Sequence, residues 1–162
     1  MKPLLSALLF LNLALSAHAF DLRDPVAART REGNALMEAG QFPDAFEAYR
    51  EAQVEAPERP ELHYNLGLAL SRQGKTQEAI HSYTSAADAQ GLVKAHAAYN
   101  LAWNHYALGK KAQEAGDTQA AMRELEKAVE WGRSALVASP GDLHAKHNYE
   151  MALKALNELK AQ

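Results

Sequence analysis

The feature that most constrains this chain is a spacing of 34 residues at which its own residues recur. Gly33 returns as Gly67, Leu36 as Leu70 and Gly40 as Gly74, and the register carries on from Ala45 to Ala79, Tyr49 to Tyr83 and Ala52 to Ala86. Six coincidences in one register point to a repeated structural unit, and units of this length bury a core by stacking on their neighbours. Gly33 and Gly67 mark places where two helices cross too closely for a side chain. Ala45, Ala52, Ala79 and Ala86 supply small partners on the second helix, with Tyr49 and Tyr83 filling the space beside them. Gly40 and Gly74 break the chain between helices, because glycine tolerates positive φ. Pro57 ends the first unit. The expected fold is all-α, a stack of antiparallel helix hairpins.

The third copy is longer. Tyr64-Asn65-Leu66-Gly67 restarts as Tyr99-Asn100-Leu101-Ala102, but the turn waits until Gly116-Asp117, seven residues late. The second arm lengthens equally: Ala121, Leu125 and Ala128 fit the repeat, yet Pro140 is also seven residues late. Equal insertions keep two arms paired, and the expected seam runs through Ala98, Leu101, His105, Leu108, Ala112 and Ala115. Facing it are Ala121, Leu125, Ala128, Gly132 and Ala135. Two extra turns predict a hairpin protruding ~10 Å beyond its neighbours. After Pro140-Gly141 one more helix follows, in which His147-Asn148-Tyr149-Glu150 aligns with Tyr64-Asn65-Leu66-Gly67. Glu150 stands where a small residue would be needed for a further close crossing, so this helix caps the array. The units run over about 26–59, 60–94, 95–142 and 143–160, within a folded region of about 20–160.

The N-terminus reads differently. Lys2 precedes an apolar run from Leu4 to Leu15, and Ala17-His18-Ala19 offers small residues at −3 and −1. This is the layout of a secretory signal covering residues 1–19, cut between Ala19 and Phe20. The apolar run falls well short of the ~20 residues that span a bilayer. The expectation is a periplasmic or secreted protein with no membrane span after cleavage. Loss of Lys2 takes the formal net charge one unit below the −3 of the whole chain. Such an acidic balance argues against nucleic acid as a partner. With no cysteine, disulfides and thiolate metal sites are excluded.

The repeated phrase resembles the tetratricopeptide repeat. That pattern has a small residue at its eighth position, Ala at the twentieth, an aromatic at the twenty-fourth and Pro at the thirty-second. Gly33, Ala45, Tyr49 and Pro57 fill these places in the first unit; Gly67, Ala79 and Tyr83 do so in the second, with Gly91 in place of Pro. Arg29 stands where a large apolar residue is usual, which suits a terminal unit. The last helix is similar to that of small repeat proteins of bacterial aerotolerance (Bat-type) operons. Pro140, Asp142, Ala145, Asn148, Glu150, Ala152 and Leu156 fill their motif. That resemblance implies assistance to envelope membrane proteins carrying von Willebrand A domains.

In a stacked array the first helices line the concave side. This places Arg31, Asn34 and Met37, then Tyr64, Asn65 and Leu68, then His96, Tyr99, Asn100 and Trp103, and last His144, His147, Asn148 and Met151 on one face. Asn65, Asn100 and Asn148 share one register position, where an amide can both donate to and accept from a peptide backbone. The expected partner-binding set is Asn34, Tyr64, Asn65, Tyr99, Asn100, Trp103 and Asn148, and the expected partners are other proteins, in an envelope or membrane-protein complex. The resemblance also implies a test for a carboxylate clamp. Asn34 and Asn65 match its two Asn, but its three basic places hold Thr30, His96 and Asn100, so the groove should not require a free carboxyl terminus. Tyr106 is expected to pack, and Trp131 to lie against the cap. The alternative is a His-rich metal-binding or enzymatic protein using the third repeat and the cap helix, with His144, His147 and Glu150, whose spacing of three puts them along one helix face, as the candidate ligands. No phosphate loop, nucleophile elbow or paired-carboxylate motif is present; the reading is a non-enzymatic scaffold without cofactors.

Overall fold

In a computed structural model, residues 24–161 are described. They form seven α-helices: α1 (Pro25–Glu38), α2 (Phe42–Glu55), α3 (Pro60–Arg72), α4 (Thr76–Ala87), α5 (Gly91–Glu114), α6 (Thr118–Ala138) and α7 (Leu143–Lys160). Residues 1–19, read as a secretory signal, lie outside the described residues.

Local chemistry sets the boundaries. Proline opens α1, α2 and α3 within their first two positions, where its missing N–H costs nothing. Asp24, Asp117 and Asp142 accept backbone N–H groups at the starts of α1, α6 and α7, satisfying donors that no helical carbonyl can reach. The three hairpin turns share one device. Gly40, Gly74 and Gly116 hold φ of 74°, 75° and 77°, and the next residue donates back into the helix. These bonds run from Gln41 to Leu36, Lys75 to Leu70 and Asp117 to Ala112, at 2.9, 3.0 and 3.0 Å. Only glycine adopts that φ without strain.

Each helix packs on the next, and α3 also touches α5 while α5 touches α7. The first helices of the second and third hairpins, and then the cap, therefore approach one another on the inner side of the stack. Inside the first two hairpins the crossing is closer than small partners alone would require. A Cβ on Gly33 would sit 2.5 Å from the Tyr49 ring, and one on Gly67 would sit 2.7 Å from the Tyr83 ring. The tyrosine itself occupies the missing side chain's volume.

The third hairpin has helices of 24 and 21 residues, against 13 and 12 in the second. Its contact row departs from the expected seam in three places. Gly109, not Leu108, meets the opposite arm: a Cβ there would lie 2.8 Å from Leu125 Cγ. Leu108 is only half-buried and Ala115 is exposed. A straight helix turns once per 3.6 residues, so a strict heptad row drifts by ~20° per heptad; an eleven-residue step from Ala98 to Gly109 corrects it. Gly132 belongs to a different interface, since its Cβ would lie 3.1 Å from Tyr149 Cβ on the cap.

The extension is not free-standing. The cluster shared with the second hairpin joins Tyr83, Ala86 and Ala87 to Ala97 and Leu101, reaching no farther along α5. Beyond that point α7 supplies the cover. Ala152, Leu156 and Leu159 pack with Ala121, Leu125, Ala128 and Val129, and Lys160 Nζ reaches Glu126 Oε1 at 2.8 Å. The long hairpin thus overhangs its predecessor on one side and leans on the cap on the other. Trp131 packs both against the second-hairpin cluster and against Ala98, Ala135 and Ala145, bridging two neighbours where the cap alone was expected.

Candidate peptide-binding groove

Two adjoining cavities lie along the inner side between α3 and α5. One, of about 340 Å³, is lined by Tyr64, Leu68, His96, Tyr99, Asn100, Asp142 and His144. The other, of about 490 Å³, includes Leu68, Arg72, Thr76, Tyr99, Asn100, Trp103 and Asn104. Leu68, Tyr99 and Asn100 line both, so the two form one groove from the start of α7 to the start of α4. Periodicity explains the set. Tyr64, Leu68 and Arg72 are each four apart on α3, as are His96, Asn100 and Asn104 on α5, and such residues share a helix face.

The structure gathers Tyr64, Tyr99, Asn100 and Trp103 here. Trp103 is 48% exposed, with its ring centroid 6.0 Å from that of Tyr106. Tyr64 lies 5.8 Å from Tyr83 and 5.9 Å from His96, ring centre to ring centre. Burial raises the Tyr64 phenol above its ordinary pKa, opposed by Asn100 and by the charge of Arg72. Burial also pushes Tyr83 and Tyr49 up to about 12, so these phenols stay neutral and serve as hydrogen-bonding props. Tyr106 is half-buried and packs on the α6–α7 cluster.

The other asparagines take separate roles, so the expected ladder is not a row of equivalent free amides. Asn34 accepts from the Tyr49 hydroxyl at 2.7 Å, which ties α1 to α2. Asn65 is half-buried on α3 and lines neither cavity. Asn148 is buried at 9% exposure, and its Nδ2 has no hydrogen-bond partner. The reason is the cap's position: α7 turns this face toward the array, between Ala145 and Ala152, instead of toward the groove. Asn100 stays in the groove, although its Nδ2 donates to His96 O at 2.9 Å. The buried Asn104 then donates to Asn100 O at 2.8 Å.

Sequence reasoning did not single out Arg72, Thr76, Asn104 or Asp142 as groove residues. The i, i+4 continuation of the stripes through Leu68 and Asn100 carries the signal for Arg72 and Asn104. It also placed His105 in an apolar seam. The imidazole is in fact buried and its Nδ1 lies 2.7 Å from Glu124 Oε2, with Lys127 Nζ 3.2 Å from Glu124 Oε1. Burial holds His105 below its ordinary pKa despite the carboxylate. Burial alone would raise Glu124, but the hydrogen bonds from His105 and Lys127 outweigh it and hold the carboxyl below its usual range.

The metal alternative finds no assembled site. His144 turns into the groove, His147 is exposed, and Glu150 sits 3.9 Å from Lys146 Nζ. Among the described residues no group of three His, Cys, Asp or Glu could hold a metal ion. None of the described helices is long and apolar enough to cross a membrane.

Comparison with known proteins agrees with this architecture. The tetratricopeptide repeat profile matches residues 30–91 and 64–124. The photosystem I assembly protein Ycf3 of Synechococcus elongatus is 28% identical over 122 residues, covering 74% of this chain and 70% of that protein. Among solved structures, the first repeat domain of Spaghetti (RPAP3) bound to the HSP90 peptide SRMEEVD superposes with a TM-score of 0.62 at 18% identity, covering 82% of this chain and 93% of that one. The Sgt2 repeat domain of Aspergillus fumigatus gives 0.57 at 21% identity, covering 85% and 82%. At these identities the structural likeness speaks for the fold. The repeat profile spans more than half of the chain, and the chain is a member of the tetratricopeptide repeat family.

Proposed function

We propose that this protein is an exported, non-enzymatic scaffold that holds an extended segment of another protein in the groove between α3 and α5. The observation that carries the reading is the groove itself, whose two cavities share Leu68, Tyr99 and Asn100 and whose exposed Trp103 offers a large apolar anchor. Exposed aromatics in a concave surface are typical binding anchors, and the side-chain carbonyl of Asn100 beside Trp103 can accept from the backbone of an extended peptide. A repeat domain of this fold holds an HSP90 peptide, and the related Ycf3 is named for assembling photosystem I; both support a role in handling other proteins.

The finer reading places the protein in a bacterial envelope, where it assists membrane proteins with von Willebrand A domains. It rests on the signal-like residues 1–19 and on the Bat-type motif of the last helix. In that motif Asp142 caps α7, while Ala145, Asn148, Ala152 and Leu156 are buried. Its buried residues thus secure the cap, while Asp142 also lines the groove.

The test is affinity capture from envelope extracts with the mature chain, beside Trp103→Ala and Asn100→Ala. The wild type should retain a von Willebrand A domain protein that both variants lose while keeping the same melting temperature. Equal capture by all three would refute the groove. N-terminal sequencing of the protein from its native cell should begin at Phe20; a start at Met1 would refute export by cleavage.

A further inference from the structure

We infer that the open base of the third hairpin is a self-association surface whose partner is a second copy of this chain. The inference does not depend on the groove. At the end of the hairpin away from its glycine turn, the start of α5 and the last turns of α6 enclose a cavity of about 520 Å³. Gly91, Lys94, Glu130, Arg133 and Val137 are part of its lining. A Cβ on Gly91 would meet nothing within 4 Å, so the arms that meet at Gly109 and Leu125 near the tip leave space at the base.

Apolar surface gathers around that cavity. Among the described residues five large hydrophobic side chains are exposed, and three of them are Leu92, Val137 and Leu143, at 70%, 78% and 78%. Leu92 follows Gly91, and Val137 lies in the lining itself. Leu143 opens α7 just past the loop that Asp142 N closes on Ser139 O at 3.1 Å. Single exposed apolar residues are ordinary on a monomer, whereas a group at one site marks an interaction surface. The charges choose the partner. Lys94 and Arg133 share the cavity with Glu130, and the exposed Asp88 at the end of α4 stands two residues before Gln90, where the lining begins. None of these four forms an ion pair among the described residues. A patch with both signs in equal number exerts no long-range pull on a polyanion such as nucleic acid or an anionic lipid surface. A two-fold rotation presents the patch to itself, so unpaired groups of either sign meet the other sign on the second copy.

The test is sedimentation equilibrium of the mature chain from micromolar to millimolar concentration, over which the wild type should pass from monomer to dimer. Val137→Gln and Leu143→Gln should each weaken the dimer about tenfold. Glu130→Lys makes every charge of the lining positive, and Lys94→Glu with Arg133→Glu makes every one negative. Each of these two variants should stay monomeric alone, and mixing them should restore a dimer that holds one copy of each. Glu130 and Arg133 are exposed and Lys94 is half-buried in the first turn of α5, where a carboxylate suits a helix start; thermal melts confirm that each variant folds. A wild type that is monomeric throughout would overturn the inference. If it also sediments with phosphatidylglycerol vesicles, the patch belongs to a lipid surface instead. A wild type that dimerises while the mixed charge variants do not would place the contact elsewhere and overturn it too. So would a dimer lost in Trp103→Ala but kept in Val137→Gln and Leu143→Gln, which would move the contact to the groove.

Discussion

The second and third hairpins solve one packing problem in two ways. In the second, Gly67 stands seven residues before the turn glycine, and Tyr83 stands nine residues after it. The third hairpin keeps those spacings: Gly109 precedes Gly116 by seven and Leu125 follows it by nine. The crossing near the tip is therefore the same, with a leucine in place of the tyrosine. Stacking on the preceding hairpin uses an earlier copy of the phrase, for Leu101 joins Tyr83 much as Leu66 joins Tyr49. A heptad is close to two full helical turns, so Tyr99-Asn100-Leu101 and Tyr106-Ala107-Leu108 can share a face and serve the two contacts separately. The added length separates the surface that stacks from the surface that closes the hairpin. At the far side the partners trade places: Gly132 on α6 receives Tyr149 from the cap, whereas Tyr49 and Tyr83 on second helices fill glycines on first helices.

The strongest way to break this comparison is to shorten one arm. Deleting residues 110–116 removes two turns from α5 and leaves α6 and α7 without their partner, at a cost of several kcal/mol, roughly that of exposing two or three buried aliphatic side chains. Deleting 126–132 as well restores the unit length of the second hairpin. The double deletion should melt higher than the single one yet below wild type, because the last turns of α7 lose the surface that Leu156 and Leu159 cover. Circular dichroism melts decide it, and equal loss in both mutants would refute paired arms.

A smaller effect separates the two crossings. Gly67→Leu drives a side chain into the Tyr83 ring, a rigid group buried to 0% exposure, and should cost ~1–3 kcal/mol or more. Gly109→Leu meets Leu125 Cγ at 2.8 Å and the Ala121 carbonyl oxygen at 3.3 Å; Leu125 is as buried as Tyr83 but is a smaller, aliphatic group with more rotamers than a ring, so the change should cost less than Gly67→Leu. An inverted order in urea unfolding would mean that ring rigidity is not what sets the tolerance.

The smallest effect is a pH dependence peculiar to the long hairpin. His105 faces Glu124 directly, with Lys127 and Glu130 also acting on it. Its folded pKa lies below the ordinary imidazole value of 6.5, so the unfolded chain takes up the proton first. Stability from keeping it neutral is present above about 6.5 and is lost as pH falls through the window below, by up to ~1.4 kcal/mol per pH unit. Urea midpoints at pH 7.5 and 5.5 should differ more for wild type than for His105→Gln. The same difference in both would assign the effect elsewhere.

Much of this architecture was legible in the chain. Glycine reports positive φ and close approach by what it lacks, so Gly33, Gly40, Gly67 and Gly74 could be assigned from spacing. The extra turns of the third unit were legible for the same reason. Two features resisted. The row through Gly109 required knowing how far a straight helix drifts over eleven residues, and the burial of Asn148 required knowing which face the cap turns inward. The groove was half legible, since Tyr64, Tyr99, Asn100 and Trp103 follow from the repeat register while Arg72 and Asn104 belong to stripes that meet only across two helices.

Sequence by itself determined the number of helices, their ends and the family, because propensity, capping and turn geometry act within a few residues of one another. Tertiary structure alone decided which asparagine lines the groove and which packs against a neighbour. It also decided that His105 meets Glu124 across the hairpin and that α7 covers the overhanging turns. Those outcomes depend on rotations about helix axes set by many small side-chain contacts at once, and no local stretch of the chain encodes such a sum.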